Sequence, residues 1–300
     1  MKHILFSILF FYQISLTCAQ SGFTWPYPDR LLIGSCSFDS PCQTLDTTIL
    51  TVIYDMHYRH NEKEFYHSYN ILQYGKNYAK YYNLPQWYCN LIRTRVDRGL
   101  TAEPQLSEEE EVQWRAAGEP AVMTPAEIIY DYAGGQARVR YNIPFTWKAI
   151  YEYTEKIPEM KWELAEGAEE ILGYMCQKAQ AYFRGRTWTV WFTAEIPVNA
   201  GPWKLNGLPG LILRARDEEG DFRFEGIGLQ QKNEPIELYR WKTLNISRKK
   251  WLDFERASYV TPYQQFSQGG NFKFYHQESS GNIRELKSSW TIPYYPLEKE

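Results

Sequence analysis

Residues 183–213 read FRGRTWTVWFTAEIPVNAGPWKLNGLPGLIL, and their pattern sets the fold class. Arg184-Gly185-Arg186 is a tight basic corner between two runs rich in aromatic and β-branched residues, which favour pleated strands. Within Thr187–Thr193, Trp188 and Val190 share one face while Thr187 and Trp191 share the other, the period of a strand. One of these tryptophans is expected inside, the other exposed or capped by a helix. Gly201-Pro202 bends the chain before Trp203, which is expected to fold over the sheet edge. Leu208-Pro209-Gly210-Leu211 suits a type II turn, with Pro209 fixing φ and Gly210 taking positive φ. Leu211, Ile212 and Leu213 then enter the sheet interior.

Outward from this stretch, strands dominate. Leu45–His60 is β-branched and aromatic and reads as a long strand; Asn61–Glu64 turns, and Phe65–Tyr82 returns as a second strand with a bulge at Gly75. Trp147–Thr154 and Met160–Leu164 alternate with the period of half-buried strands. Glu169–Phe183 reads as one strand, Leu211–Asp217 and Phe222–Gln230 as a hairpin, and 236–246 as a last strand. Helix signals are few. Ser107 with Glu110 forms a capping box, its carboxylates complementing the helix dipole, and Thr124-Pro125-Ala126-Glu127 forms a second box expected to open a helix closed by Gly134-Gly135. An amphipathic helix is expected over Ser247–Ala257, and the tail with Phe272, Phe274 and Trp290 as two further strands or extended arms.

Short turns between successive strands place them side by side in an antiparallel sheet. The expected fold is α+β but mostly β: a curved antiparallel sheet, half-barrel-like, packed on a few short helices. At 300 residues, with no repeat or linker, the chain suits one β-rich domain over 20–300.

Residues 1–19 have a secretory layout: Lys2 and His3, an apolar run Ile4–Tyr12, and Thr17-Cys18-Ala19. Cleavage is expected after Ala19, with acylation at Cys18 as the rival, and the destination is the periplasm or the outer membrane. A net charge of −3 gives no drive toward phosphate backbones, so nucleic acid is not an expected partner. Four cysteines remain after cleavage. A Cys36–Cys42 disulfide closing a small loop leaves Cys89–Cys176 as a long-range staple; the alternative is that Cys176 is a buried free thiol.

Several segments resemble the GLPGLI family, exported envelope proteins of Gram-negative bacteria. Gly207-Leu208-Pro209-Gly210-Leu211-Ile212 spells the family's name motif. Ile71–Tyr82 resembles its tyrosine-rich strand, Gly173–Ala179 its tyrosine–cysteine–lysine–alanine strand, and Phe183–Arg186 its basic corner. Trp191–Thr193, Glu195–Pro197 and Gly201–Lys204 are similar to its core segment, and Asp217–Ile227 to its closing hairpin. The resemblance spans roughly residues 45–260, with a possible helical insertion at about 101–135. It implies an exported protein, often encoded beside outer-membrane transport systems, with no catalytic residues to carry over. The name motif itself is expected to be a folding corner, with a ligand-binding loop as the alternative.

Three chemistries compete. Trp188, Trp191 and Trp203 could line a concave surface for a peptide, glycan or lipid chain, and exposed aromatics at a sheet edge would suit docking to an outer-membrane transport protein by strand addition. Met56, His57, His60 and His67 carry thioether and imidazole donors suited to copper or zinc, although His57 and His60 point to opposite faces of a strand. A hydrolase would need Cys176 beside one of these histidines, or Glu195 as acid–base; otherwise Glu195 pairs with Arg184, Arg186 or Lys204. No nucleophile elbow or zinc-protease helix motif is present. The leading expectation is a non-catalytic binding or accessory component of envelope transport without a cofactor. A copper- or zinc-handling protein comes second and a hydrolase third.

Overall fold

Strand β1 (Cys42–Arg59) is the axis of the structure because both of its edges are paired along most of its length. The computed structural model describes residues 42–97, 106–121, 124–143, 150–267, 274–277, 283–286 and 291–300. On one edge β1 pairs with β2 (Phe65–Gly75), on the other with β11 (Phe222–Gln230), and its first residues pair with β12 (Pro235–Tyr239). From β2 the sheet continues through β3 (Tyr78–Asn83), β4 (Glu127–Asp131), β5 (Gln136–Asn142) and β6 (Ile150–Lys156) to β13 (Thr243–Asn245), the last pairing being parallel. From β11 it runs through β10 (Leu211–Asp217), β9 (Arg186–Thr193) and β8 (Tyr174–Phe183) to β7 (Glu163–Ile171). A separate hairpin joins β14 (Phe274–Gln277) and β15 (Ile283–Leu286). The protein is α+β, mostly β, with one large curved sheet and a few short helices.

Period-2 alternation divides the sheet into two faces. Val52, Tyr54, Met56 and Tyr58 of β1 join Trp188, Phe222 and Phe224 in the main core, here termed the inner face. Ile53 points the other way, where Ile71 and Tyr82 meet helix α1 (Leu84–Asp97) and helix α2 (Glu108–Ala116) through Trp87, Leu91 and Trp114. Helix α3 (Arg248–Val260) closes the inner face with the fully buried Trp251, stacked on Tyr141 at 4.3 Å, and α4 (Pro262–Ser267) follows it.

Both the Ser107–Glu110 capping box and a helix begun after Ser247 are present. Other expectations are corrected. Phe65–Tyr82 is two strands, because the Asp46 carboxylate from β1 accepts the amides of Asn77 and Tyr78 and closes a turn after Gly75. Glu169–Phe183 also splits, since Leu172 and Gly173 both take positive φ (52° and 81°), the backbone of a two-residue hairpin turn. Leucine in place of asparagine masks that turn in the sequence. Residues 157–162 lie outside β7, with Trp162 Nε1 donating to the Asn206 carbonyl at 2.7 Å. The 236–246 strand is two short strands on different neighbours, β1 and β6.

The expected helix after Thr124 is strand β4. Glu127 sits in a buried cross-strand row with Arg140 (2.5 Å) and Lys80 (3.4 Å), and Arg140 passes the pairing on to Glu152 at 2.6 Å. This charge row and the β-branched Ile128-Ile129 outweigh the local cap signal. Helix α1 was not expected, although Asn83 caps it by accepting the Gln86 amide and Pro85 stands in its first turn. The 1–19 leader, Cys18, Ala19, Cys36, Trp147, Phe272 and Trp290 lie outside the described residues. None of the described helices is long and apolar enough to cross a membrane.

The Pro-Gly corner differs from the expected type II turn. Gly207, at φ 96°, takes the positive dihedral; Gly210 does not. Gly210 is required for a different reason: a Cβ there would lie 2.1 Å from the Thr193 carbonyl oxygen, against strand backbone that has no room to yield. Gly210→Ala is expected to cost about 3 kcal/mol, the upper end for overpacking. Gly220→Ala, where a Cβ meets nothing but φ is 71°, should cost about 1 kcal/mol. Thermal melts of the two variants check this, and equal melting of Gly210→Ala and wild type would refute the close approach.

Candidate functional site

The loop between β9 and β10 folds across the inner face instead of over an edge. Trp203 is buried in it with a left-handed φ of 53°. Such a backbone costs about 1–3 kcal/mol for a bulky residue. Packing sustains it: the ring lies 5.6 Å from Trp188 and 5.5 Å from Phe183, and the carbonyl accepts the Tyr130 hydroxyl at 2.5 Å.

The next residue, Lys204, is thereby placed inside, with no exposed side-chain surface. Its Nζ lies 2.5 Å from Glu155 Oε1 and 2.5 Å from Glu298 Oε1 and donates to the Tyr153 hydroxyl at 3.0 Å. Arg184 holds the other oxygen of Glu155 at 2.6 Å, and Arg248 holds that of Glu298 at 2.6 Å. Burial alone would push the Lys204 ammonium down, but the Glu298 and Glu155 carboxylates override it and hold it above the ordinary lysine value. Burial would likewise raise Glu298; Lys204, Arg248 and Arg184 instead hold it below the usual carboxylate range. Beside this cluster, burial pushes Glu255 up to about 8 although the Tyr294 hydroxyl donates to it at 2.9 Å.

Two clefts flank the buried cluster. The larger, of about 500 Å³, lies at the strand ends around Arg59, Arg186, Glu219, Asp221, Tyr295 and Lys299. Arg186 is its fixed centre, 2.5 Å from Asp217, 3.0 Å from Asp221 and 3.5 Å from Glu219. Those three acids are also the only group among the described residues whose donor atoms gather as metal ligands would. The guanidinium already fills their centre. The smaller cleft, of about 160 Å³, is lined by Tyr74, Tyr130, Tyr132, Ile157, Asn199 and Asn206 among others. Tyr74 and Tyr132 rings stand 5.7 Å apart. Side-chain amides at the rim and tyrosine rings in the wall combine hydrogen bonding with flat apolar surface.

The expected binding tryptophans are placed differently. Trp188 and Trp203 are core residues, and Trp191 is buried beneath the cations of Lys178, Arg214 and Arg216 at 5.2–5.7 Å. Flanking strands and cations cover both faces of β9, so neither tryptophan is left open. In the Gly207–Ile212 motif, Leu208, Leu211 and Ile212 are buried and Gly207 lies against Trp162, so the motif floors the loop that carries Lys204. Glu195 accepts the Met175 amide, while Arg184, Arg186 and Lys204 pair with other carboxylates.

Of the expected metal residues, His57 and His67 are register partners on the outer face, their rings 6.0 Å apart. Met56 is buried on the inner face, and His60 stacks on Tyr66 at 4.0 Å. Asp55, which the sequence reading passed over, lies between the two histidines at 3.1 and 3.2 Å. It is two residues before His57 in a strand, so shared parity was the available signal. Cys89 and Cys176 are separate buried thiols, correcting the long-range disulfide; burial pushes them up to about 12 and about 11. They sit on different elements, α1 and β8, and the charged groups acting on Cys176 are Arg214, Glu169 and Glu195. The Cys36–Cys42 expectation rests on Cys36, outside the described residues.

Burial would raise Asp55, but hydrogen bonds from His57 and His67 hold it down to about 2. The bond from Asp55 raises His67 against its burial. The carboxylate contribution is present above its unfolded value and lost as pH falls; the imidazolium contribution is present below its unfolded value and lost as pH rises. The pair therefore stabilises the fold most between about pH 4 and 6.5. In that window Asp55→Asn is expected to cost about 0.5–1 kcal/mol, as partly exposed pairs do, and to lower the His67 titration midpoint. Chemical denaturation and histidine NMR titration measure both, and an unmoved His67 midpoint would refute the coupling.

Comparison with known proteins gives a partial match. Residues 146–245 match the family model described as N-glycanase peptide, N-terminal domain. No curated protein matches the chain. Among solved structures, PNGF-II in a P21 crystal form is 13% identical at a TM-score of 0.42, covering 69% of this chain and 32% of that one. The C2 form of PNGF-II gives a TM-score of 0.41 with the same identity and coverage. An uncharacterized conserved protein from Thermus thermophilus is 8% identical at a TM-score of 0.34, covering 65% of this chain and 90% of that one. The chain thus spans about a third of the length of the PNGF-II structures it matches, and the family likeness resides in the stretch from β6 to β13 that carries the Lys204 loop.

Proposed function

We propose that the chain is an exported envelope protein that binds glycans, a binding or accessory component of the GLPGLI type working beside outer-membrane transport. The observation that carries the glycan part is the match of residues 146–245 to the N-terminal domain of an N-glycanase. The smaller cleft supports it, because six of its ten lining residues, Ile157, Asn199, Ala200, Gly201, Leu205 and Asn206, fall within that stretch. Tyrosine rings offer a stacking surface for the C–H face of a sugar ring, and asparagine amides match hydroxyl donors and acceptors. At about 160 Å³ the cleft is smaller than pockets for drug-sized ligands, roughly 300–1,000 Å³, and suits one ring of a longer chain. The export reading rests on the leader layout of residues 1–19 and the transport association on the name motif at Gly207–Ile212.

Tyr74→Ala is expected to weaken binding of an N-glycan by about three- to tenfold, the worth of one aromatic contact, with little change in Tm. Calorimetry against a released N-glycan measures it; no binding by the folded wild-type protein would refute the reading.

A second reading, zinc or copper handling, is favoured by the pairing of His57 with His67 around Asp55. Imidazole and carboxylate are donor types that zinc takes, and binding would require the His57 and His67 ring nitrogens, each now on a different oxygen of Asp55, to converge on one point. Under this reading Zn²⁺ binds with micromolar or tighter affinity and His67→Ala abolishes it, whereas titration without saturable binding would remove it.

A further inference from the structure

The segment Tyr294–Glu300 lies across the inner face like something bound there. Glu298 has three cations around it: Lys204 at 2.5 Å, Arg248 at 2.6 Å and Arg184 at 3.8 Å. Without Glu298 those three cations would face Glu155 alone, in a site where an uncompensated charge is strongly unfavourable. The site therefore requires an anion. Arg184 Nε is buried and donates no hydrogen bond, so one donor is left over even with Glu298 seated.

The segment is held by point contacts, not by a strand ladder. The amide of Lys299 donates to the Arg184 carbonyl at 3.0 Å, the Pro296 carbonyl accepts from Arg186, and Leu297 is buried in the core. It passes so close to the β8–β9 turn that a Cβ on Gly185 would lie 2.6 Å from Lys299. Tyr294, Tyr295, Pro296 and Lys299 also form one wall of the 500 Å³ cleft. Lifting the segment would therefore join that cleft to the Lys204 site. Next to the cations stand aromatic rings: Tyr153, 5.3 Å from Lys204 Nζ, and Trp203, 6.0 Å from it.

We propose that Tyr294–Glu300 is an internal stand-in for ligand, its Glu298 carboxylate occupying a site that binds the carboxylate of an acidic sugar once the segment is displaced. This rests on the glycan reading and names its ligand class: a uronate-type ring, with the carboxylate on Lys204, Arg184 and Arg248 and the ring against aromatic surface. Wild type binds such a sugar weakly because a tethered occupant competes at high effective concentration.

The test is calorimetry with a glucuronate-containing disaccharide, its glucose counterpart and succinate, on wild type and Glu298→Gln. Expected is at least a tenfold gain in glucuronate affinity for Glu298→Gln, with no gain for the glucose disaccharide and a smaller gain for succinate. An unchanged glucuronate affinity in folded Glu298→Gln overturns the proposal, and a matching gain for succinate overturns the sugar assignment. Should Glu298→Gln fail to fold, wild-type protein saturated with the glucuronate disaccharide should exchange the Lys299 amide faster. Unchanged protection at saturation overturns the proposal. Unchanged glucuronate affinity in folded Glu298→Gln beside neutral-glycan binding that depends on Tyr74 would sink the stand-in proposal alone and leave the glycan reading standing, whereas absence of all sugar binding sinks both.

Discussion

An ammonium ion with no access to water is the constraint around which the inner face is organised. Lys204 can remain charged in the core only because carboxylates reach it from two distant parts of the chain, Glu155 on β6 and Glu298 in the closing segment. Removing one partner of a buried pair typically costs about 3–5 kcal/mol, because the other charge is stranded. That penalty ties together the β6 strand, the loop before β10, helix α3 through Arg248 and the β8–β9 turn through Arg184. The left-handed backbone of Trp203, sustained by the packing of its ring, delivers the following lysine to its partners.

Charge is used in the same way at two other places. On the outer face Lys80, Glu127, Arg140 and Glu152 alternate in sign across neighbouring strands, and Lys80 also donates to the Glu237 carbonyl of β12. At the strand ends Arg186 is surrounded by Asp217, Glu219 and Asp221, with Arg59 taking the second oxygen of Asp221. Each cluster joins strands that are neighbours in the sheet to a segment that is not. Hydrophobic alternation builds the sheet, and ionic groups decide what is laid over it.

This division explains what could be read from the sequence. The hairpin at Leu211–Gln230, the Arg184-Gly185 corner and the Ser107 cap depend on residues within one turn of each other, so local chemistry reveals them. Strand β4 did not follow from local signals: Thr124 and Glu127 spell a helix start, and only Arg140 and Lys80, on adjacent strands, show why Glu127 is in a sheet. The candidate site was less legible still. Lys204 and Glu298 are separated by 94 residues, and no spacing rule connects them. Tryptophans were singled out for binding because of their size, and size is what drew them into the core. Tyrosines, which keep a hydroxyl that must find a partner, line the smaller cleft instead.

Strand β7 closes one end of the sheet path and is exposed along most of its length, presenting Glu163, Glu166, Glu169 and Glu170, with a bulge between Ala165 and Ala168. A row of unpaired backbone groups invites any extended polypeptide to extend the ladder. Here a newcomer would meet like-signed carboxylates and an irregular hydrogen-bond register. The opposite end offers β13, only three residues long. Lateral growth of the sheet is thereby discouraged on both sides, so that crowding with other polypeptides would not readily convert this protein into fibrillar stacks.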